Sequence, residues 1–506
     1  MTTKLIFKSF HNCTNMFTKS ALPLYAIVFI SGAAVMIVEI AGARLVAPFF
    51  GSTLFVWSAL IGVILGALAT GYYIGGKLAD RSPRFETLSA IVFLSGMSVA
   101  AIPVVEAAVA PLGMPLGGKY GPLFVSLSLF ALPSFLMGMV SPYAVKLGTE
   151  SLKIVGASAG KLYALSTLGS IVGTLLAGFF LIPSFGTHAI IMGTAAVLVL
   201  ASLIGLIRRL EALSAAVVVI GTVSLALLGA DSGALYDRDS GYYRVMVVEE
   251  DGVRMLLLDS QVHGGMRPGS DEHIFPYSQL SRLAYLLGPQ RPVNALFIGL
   301  GPGTQVKDFG RRFPNARKEV VEIDPAVAEV ARRYFGVEES ASLNIWIEDA
   351  RRFLAENDER YDYIFVDAFN GRYSVPHHLT TLEAVLEVER HLSPGGVVVI
   401  NVISSVEGEK SAFFRSEYKT YREVFPTVYV FPVEPERPEE VQNIIMMATR
   451  EPQLSGSEFA RLAERGDENQ RRWAANYWQK KIRTDDVPVL TDDYAPTDNL
   501  MMPTYG

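Results

Sequence analysis

The spacing of apolar residues divides the chain in two. Up to about residue 230 they form long runs of Leu, Val, Ile, Ala and Gly almost free of charge; from about 231 onward they shorten into strand-length runs between charged, helically periodic stretches. A hydrocarbon core about 30 Å thick takes roughly 20 apolar residues to cross. Runs of that order lie near 22 to 47, 54 to 79, 86 to 110, 122 to 147, 157 to 183, 187 to 207 and 213 to 230. They predict an N-terminal α-helical membrane domain of about seven spans, residues 1–230. The first apolar core is too long for a signal peptide, and similar runs follow it at once.

The second part reads differently. After a Gly/Asp/Ser linker, "RVMVVEEDGVRMLLLD" alternates around an Asp-Gly pair, the pattern of a β-hairpin, and predicts a linker and small β-domain over 231–283. "DEHIFPYSQLSRLAYLL" has helical spacing. From 293 strand-turn-helix repeats follow: "VNALFIGLGPGT", "RKEVVEIDPAVAEVARRYF", "LNIWIEDARRFLAEN", "YDYIFVDAFN" and "GGVVVINVI". Continuous apolar strands alternating with helices predict a parallel sheet covered on both faces, so 284–450 is expected to be a Rossmann-like α/β domain of the class I methyltransferase type. Residues 451–506 are left as a C-terminal helix, over 455 to 483, and an acidic tail.

Ligands of such sheets bind beyond the carboxyl ends of the strands. The first strand ends in Gly299, Gly301 and Gly303, which let backbone approach a ligand at a helix N-terminus. The second ends in Glu322, roughly 20 residues on, where a carboxylate takes both hydroxyls of a ribose. Glu348 and Asp349 follow the third, suited to an adenine edge, and Asp367 follows the fourth at the mouth of the cleft. Glycines alone also serve tight turns; it is the acid after each later strand that points to a nucleoside. The GxGxG spacing departs from the GxGxxG of dinucleotide folds and favours an adenosyl sulfonium over NAD.

Charge and rare residues narrow the field. A net charge of -6 without a clustered basic patch excludes nucleic acid as a partner. The single cysteine, Cys13, rules out an intramolecular disulfide, and the seven histidines show no metal-ligand spacing, so no metal is expected. Lys4, Lys8 and Lys19 precede the first run, Lys77, Arg81 and Arg84 follow the second, Lys146, Lys153 and Lys161 the fourth, and Arg208 and Arg209 the sixth. This asymmetry places the N-terminus in the cytoplasm of a multi-pass protein of the cell (inner) membrane, with the bilayer as a partner. Seven spans would then deliver the soluble part to the outer face unless 213 to 230 re-enters or lies in the interface. Glu39 and Arg44, inside the first run, read as an ion pair near a helix end or as part of a transport path.

At this point the motifs resemble a family. "LLLDSQVHGG", "DEHIFPYSQL", "FIGLGPGT", "VVEIDPAV", "IEDARRFL", "FVDAFN" and "LSPGGVVVINV", spread over about 236 to 435, are similar to the spermidine synthases, and the multi-span region with "LTDDYAP" is similar to their membrane-fused branch. The resemblance implies that Glu322 holds ribose, Asp349 the adenine amine, and Tyr277 and Asp367 the reacting amine of a small amine or polyamine substrate. It implies aminopropyl transfer from decarboxylated S-adenosylmethionine with release of methylthioadenosine, and a homodimer is a candidate assembly.

Departures accompany the matches. Pro302 stands where the family's glycine loop carries the acid that grips the donor's propylamine; a Gln becomes His263, the acid after Tyr277 becomes Gln279, and the second acid of the Asp-rich loop becomes Asn370. An ammonium buried without a carboxylate is costly. The amine half of the site is therefore expected to be rebuilt, and S-adenosylmethionine itself becomes an alternative substrate, by methyl transfer or self-cleavage, with His263 as a base or as a turn cap. Asp492, Asp493 and Asp498 read as solvated acids or as a lid on the amine pocket. From another class, a transporter or sensor that binds polyamine or nucleoside without chemistry also fits the two-part chain.

Overall fold

The computed structural model describes residues 22–149, 155–206, 233–259, 261–270, 273–368 and 375–505. The chain divides into two compact units, Met1–Ala47 with Phe55–Asp231, and Pro48–Leu54 with Ser232–Gly506.

The first unit is helical: α1 (Leu22–Phe50), α2 (Leu54–Arg81), α3 (Phe85–Ala100), α4 (Ile102–Gly113), α5 (Gly117–Gly148), α6 (Val155–Leu176) and α7 (Thr187–Leu206). Small residues let these helices approach closely, as they do in lipid, where apolar burial alone does not drive association. A methyl at Gly32, Gly169 or Gly173 would strike backbone at Ser166, Phe29 or Ala33, which seats α6 on α1. Gly71 against Phe135 and Gly138 against Leu68 do the same for α2 and α5. Glu39 and Arg44 both lie on α1.

The expected count of seven spans is not reproduced. Among the described residues four helices are long and apolar enough to cross a membrane, Leu22–Phe50, Leu54–Arg81, Ile102–Gly148 and Val155–Leu181, while Phe85–Ala100 and Thr187–Leu203 are shorter apolar helices. The expected 86 to 110 run divides near Ala101, because Pro103 in the first turn of α4 has no N–H to continue the ladder from α3. The 213 to 230 run, Lys4, Lys8, Cys13, Lys19, Lys153, Arg208, Arg209 and Asn370 lie outside the described residues.

The second unit opens with four antiparallel strands in sequence order, β1 (Tyr236–Asp239), β2 (Arg244–Glu250), β3 (Val253–Leu258) and β4 (Gln261–Met266). Asp251 and Gly252 both adopt positive φ, so the Asp-Gly pair makes the tight β2–β3 turn. The inner face, with Val245, Val247 and Leu256, packs on Val327 and Val330 of α10 (Pro325–Phe335).

Next comes a seven-stranded sheet ordered β10-β11-β9-β8-β5-β6-β7. Its strands are β5 (Asn294–Ile298), β6 (Arg317–Glu322), β7 (Leu343–Ile347), β8 (Tyr361–Val366), β9 (Leu392–Ser404), β10 (Thr427–Pro432) and β11 (Gln442–Thr449). Strands β5 to β9 pair in parallel and β11 antiparallel to both its neighbours. This is the Rossmann-like, methyltransferase-type sheet the sequence predicts. The chain leaves β5 first to one side, through β6 and β7, then to the other through β8, so the strand order reverses between β5 and β8.

The single helix expected over 455 to 483 is two short ones, α14 (Gly456–Ala463) and α15 (Glu468–Ala474). Each starts on its own capping box, Ser455 with Glu458 and Asp467 with Gln470, and the second box ends the first helix's continuity.

Candidate active site at the switch point of the sheet

The glycine loop leaves β5 at the switch point and enters α9 (Thr304–Arg312). A Cβ at Gly299 would strike the carbonyl of Asp367, so only glycine lets the two strand ends meet. Gly301 and Gly303 follow in the same left-handed region, with Gly303 as the N-cap of α9. The Gly299 N–H donates to Val321 at 2.9 Å and that of Asp367 to Ile298 at 2.9 Å, which extends the sheet by one step beyond each apolar run.

Glu322 is buried at the end of β6. Its two oxygens accept the backbone N–H of Leu300 at 3.0 Å and of Asp324 at 2.9 Å. Burial outweighs these bonds and pushes the carboxyl up to about 7. Asp349 caps α11 (Ala350–Glu356): one oxygen accepts from the Arg351 and Arg352 N–H groups at 2.9 and 3.1 Å, and the other lies 3.0 Å from His378 Nε2. The expected adenine contact therefore already serves as a helix cap.

Asp367 directly follows β8, half-buried, with one oxygen 2.9 Å from Asn401 Nδ2. Burial raises its pKa and the Asn401 bond opposes the rise. Tyr277, on α8 (Pro276–Leu280), donates its hydroxyl to the His263 carbonyl at 3.2 Å; burial first, and the Asp367 charge second, hold that phenol well above its ordinary range. His263 is half-buried, and burial lowers its ring to about 4, so the imidazole is neutral at pH 7.

Pro302 is buried against the hairpin. A methyl on Gly264, next to His263 in β4, would lie 2.8 Å from Pro302 Cγ, 3.0 Å from its Cδ and 3.4 Å from the Tyr277 hydroxyl. The ring thus fills the contact between the β-domain and the nucleotide loop. The loop, Glu322, Asp367, Tyr277 and His263 gather at the carboxyl ends of the central strands, with Asp349 one strand further out.

Gln279 is not in that group. Its Nε2 donates to the His273 carbonyl at 2.6 Å and its Oε1 accepts from Trp473 Nε1 at 3.0 Å. Two residues apart on a helix are about 200° apart around its axis, so Gln279 faces away from Tyr277. Of the acidic tail, read as solvated acids or as a lid on the amine pocket, Asp492 lies beside Asp349. Asp492 accepts from Arg351 at 2.8 and 3.2 Å and from Thr381 at 2.6 Å, while Leu382 N–H donates to the Leu490 carbonyl at 2.7 Å. The tail thereby clasps the strand-end loops beside Asp349.

Sequence reasoning passed over Asn401, although the rule that found Asp367 applies to it, since both directly follow an apolar run. Nothing in the sequence set His378 or Arg351 apart.

The spermine/spermidine synthase domain model matches residues 280–455. A polyamine aminopropyltransferase of Vibrio vulnificus is 31% identical over 226 residues, covering 43% of this chain and 72% of that protein. An N-terminal histidine N-methyltransferase of Emericella nidulans is 28% identical over 256 residues, covering 45% of this chain and 44% of that one. A solved structure described as a probable spermidine synthase from Corynebacterium glutamicum overlays with a TM-score of 0.41 at 22% identity, covering 51% of this chain and 98% of that one. The match thus runs through the strand ends that carry the glycine loop, Glu322 and Asp367 and extends over most of a known aminopropyltransferase, and the chain, a transferase, belongs to the spermidine synthase (polyamine aminopropyltransferase) family.

Proposed function

We propose that the protein transfers the aminopropyl group of decarboxylated S-adenosylmethionine to a small amine and releases methylthioadenosine, with its helical unit seated in the cell membrane. The observation that carries this is the half-buried Asp367 carboxylate beside Tyr277, at the switch point and next to the glycine loop. The amine attacks the propyl carbon bonded to sulfur in line with the departing thioether. Only a neutral amine has a lone pair to attack with, and Asp367, made more basic by burial, takes its proton. Glu322 accepts the ribose hydroxyls and Asp349 the adenine amine; Tyr277 orients the acceptor. Four long apolar helices support the membrane assignment.

A second reading rests on Pro302, buried against Gly264 in place of the family's acid. Without that acid, the carboxylate of intact S-adenosylmethionine meets no repulsion at 302; the donor's methyl then passes to an amine whose proton neutral His263 takes, leaving S-adenosylhomocysteine, or the donor's own carboxylate attacks its γ-carbon and expels methylthioadenosine, leaving homoserine lactone. Incubating the purified protein with each donor, with and without putrescine, and identifying products by mass spectrometry tests both. Spermidine and methylthioadenosine from the decarboxylated donor support the first reading. Methylthioadenosine or a methylated amine from intact donor alone supports the second, and absence of any product refutes both.

A further inference from the structure

Asp367 belongs to a chain of side chains that crosses three strands. β8 and β9 pair in parallel with Val366 opposite Ile400, so Asp367 and Asn401, one step further on each strand, are neighbours. Asn401 Nδ2 donates to Asp367 Oδ1 at 2.9 Å, and Asn443 Nδ2 of β11 donates to Asn401 Oδ1 at 3.0 Å. Asn401 sits opposite Ile445 in the antiparallel β9–β11 pair, and Asn443, two residues before Ile445, projects from the same face. A side-chain amide presents either a donor or an acceptor, according to its flip. With Asn443 donating to its oxygen, Asn401 turns its NH2 toward the carboxylate.

We propose that Asn401 is a positioning residue that holds Asp367 ionised and in one orientation, with Oδ2 directed to the amine, and that Asn443 acts through it by fixing the flip of the Asn401 amide. This rests on Asp367 being the group that takes the amine's proton. A buried carboxylate drifts toward its protonated form, which cannot accept that proton, and an amide donor directed at one oxygen opposes the drift. Among the described residues the titratable side chain facing Asp367 is Tyr277 of α8, which is neutral at working pH; the groups from β9 and β11 are uncharged amides, and the glycine loop offers backbone. Among the described residues, burial and this relay set the carboxyl's charge state.

Infrared titration of the Asp367 carboxylic C=O band, assigned by its loss in Asp367→Asn, tests the relay in the full-length protein. Asn401→Leu should move the midpoint upward by about one pH unit, a tenfold change in proton affinity. Asn443→Leu should move it in the same direction by less, and both should carry the acid limb of the turnover profile with them while methylthioadenosine affinity stays unchanged. Midpoints equal to wild type in both variants would overturn the proposal. Asn443→Leu, further from the cleft, keeps the test available if Asn401→Leu does not fold. Failure of the wild type to form any product would remove the functional reading, whereas the infrared midpoints would still decide for or against the relay.

Discussion

Gly264→Ala tests the contact between the β-domain and the nucleotide loop. Gly264 has φ of 153°, a region an L side chain enters at a cost of about 1–3 kcal/mol. The new methyl would sit 2.8 and 3.0 Å from two atoms of the Pro302 ring, which cannot swing aside, and overpacking of that kind costs a further ~1–3 kcal/mol. Together the single substitution should destabilise the second unit by roughly 2–6 kcal/mol. Pro302→Ala removes the steric part and leaves the backbone part, so the double variant should recover about 1–3 kcal/mol relative to the sum of the singles. Three of the four tryptophans, Trp346, Trp473 and Trp478, lie in this unit, so urea unfolding in detergent followed by fluorescence reports on it. Strict additivity, or a Gly264→Ala cost below about 0.5 kcal/mol, would refute the packing described here.

In the proposed role Glu322 takes the ribose hydroxyls as a carboxylate, and with burial pushing it up to about 7, methylthioadenosine affinity measured by calorimetry should fall about tenfold from pH 8 to pH 6; Glu322→Gln should bind weakly and without that dependence. Asp367→Asn should leave methylthioadenosine binding intact and lower turnover by two orders of magnitude or more, on the order expected for loss of a proton acceptor, as read by product mass spectrometry. Glu417 is buried on α13 (Ala412–Val424), where burial raises its carboxyl to about 8. A folded pKa above the unfolded value gives stability that is present below about pH 4.5 and lost as pH rises toward 8, on the order of 3–5 kcal/mol; Glu417→Gln should flatten that loss in thermal melts across the range. Asp492→Ala should free the tail from Arg351 and speed proteolysis near it several-fold, with little change in melting temperature.

The parallel sheet was legible because its strands are buried on both faces and so appear as unbroken apolar runs, and the strand-end rule then located Gly299, Glu322 and Asp367. Less legible was anything decided by direction around a helix or by a distant partner. Gln279 looked like a pocket residue from its place after Tyr277, yet half a turn of helix carries it to Trp473. Asp349 looked free for adenine, but a helix begins at the next residue and claims one of its oxygens. Pro302 looked like a lost acid alone; that a glycine in β4 approaches its ring depends on how the hairpin folds over the loop, which no local pattern encodes. In the helical part hydropathy marked apolar runs well and span lengths poorly, since Pro103 divides one run without lowering its hydropathy.

The clasp of Leu490 and Asp492 on Leu382, Thr381 and Arg351 also orders events during synthesis. The helical unit leaves the ribosome first and the sheet follows, but the loops flanking Asp349 gain their final bonds only after residues 490–492 have emerged. A nascent chain stalled ahead of Leu490 would lack the bonds that join this segment to Arg351, Thr381 and Leu382.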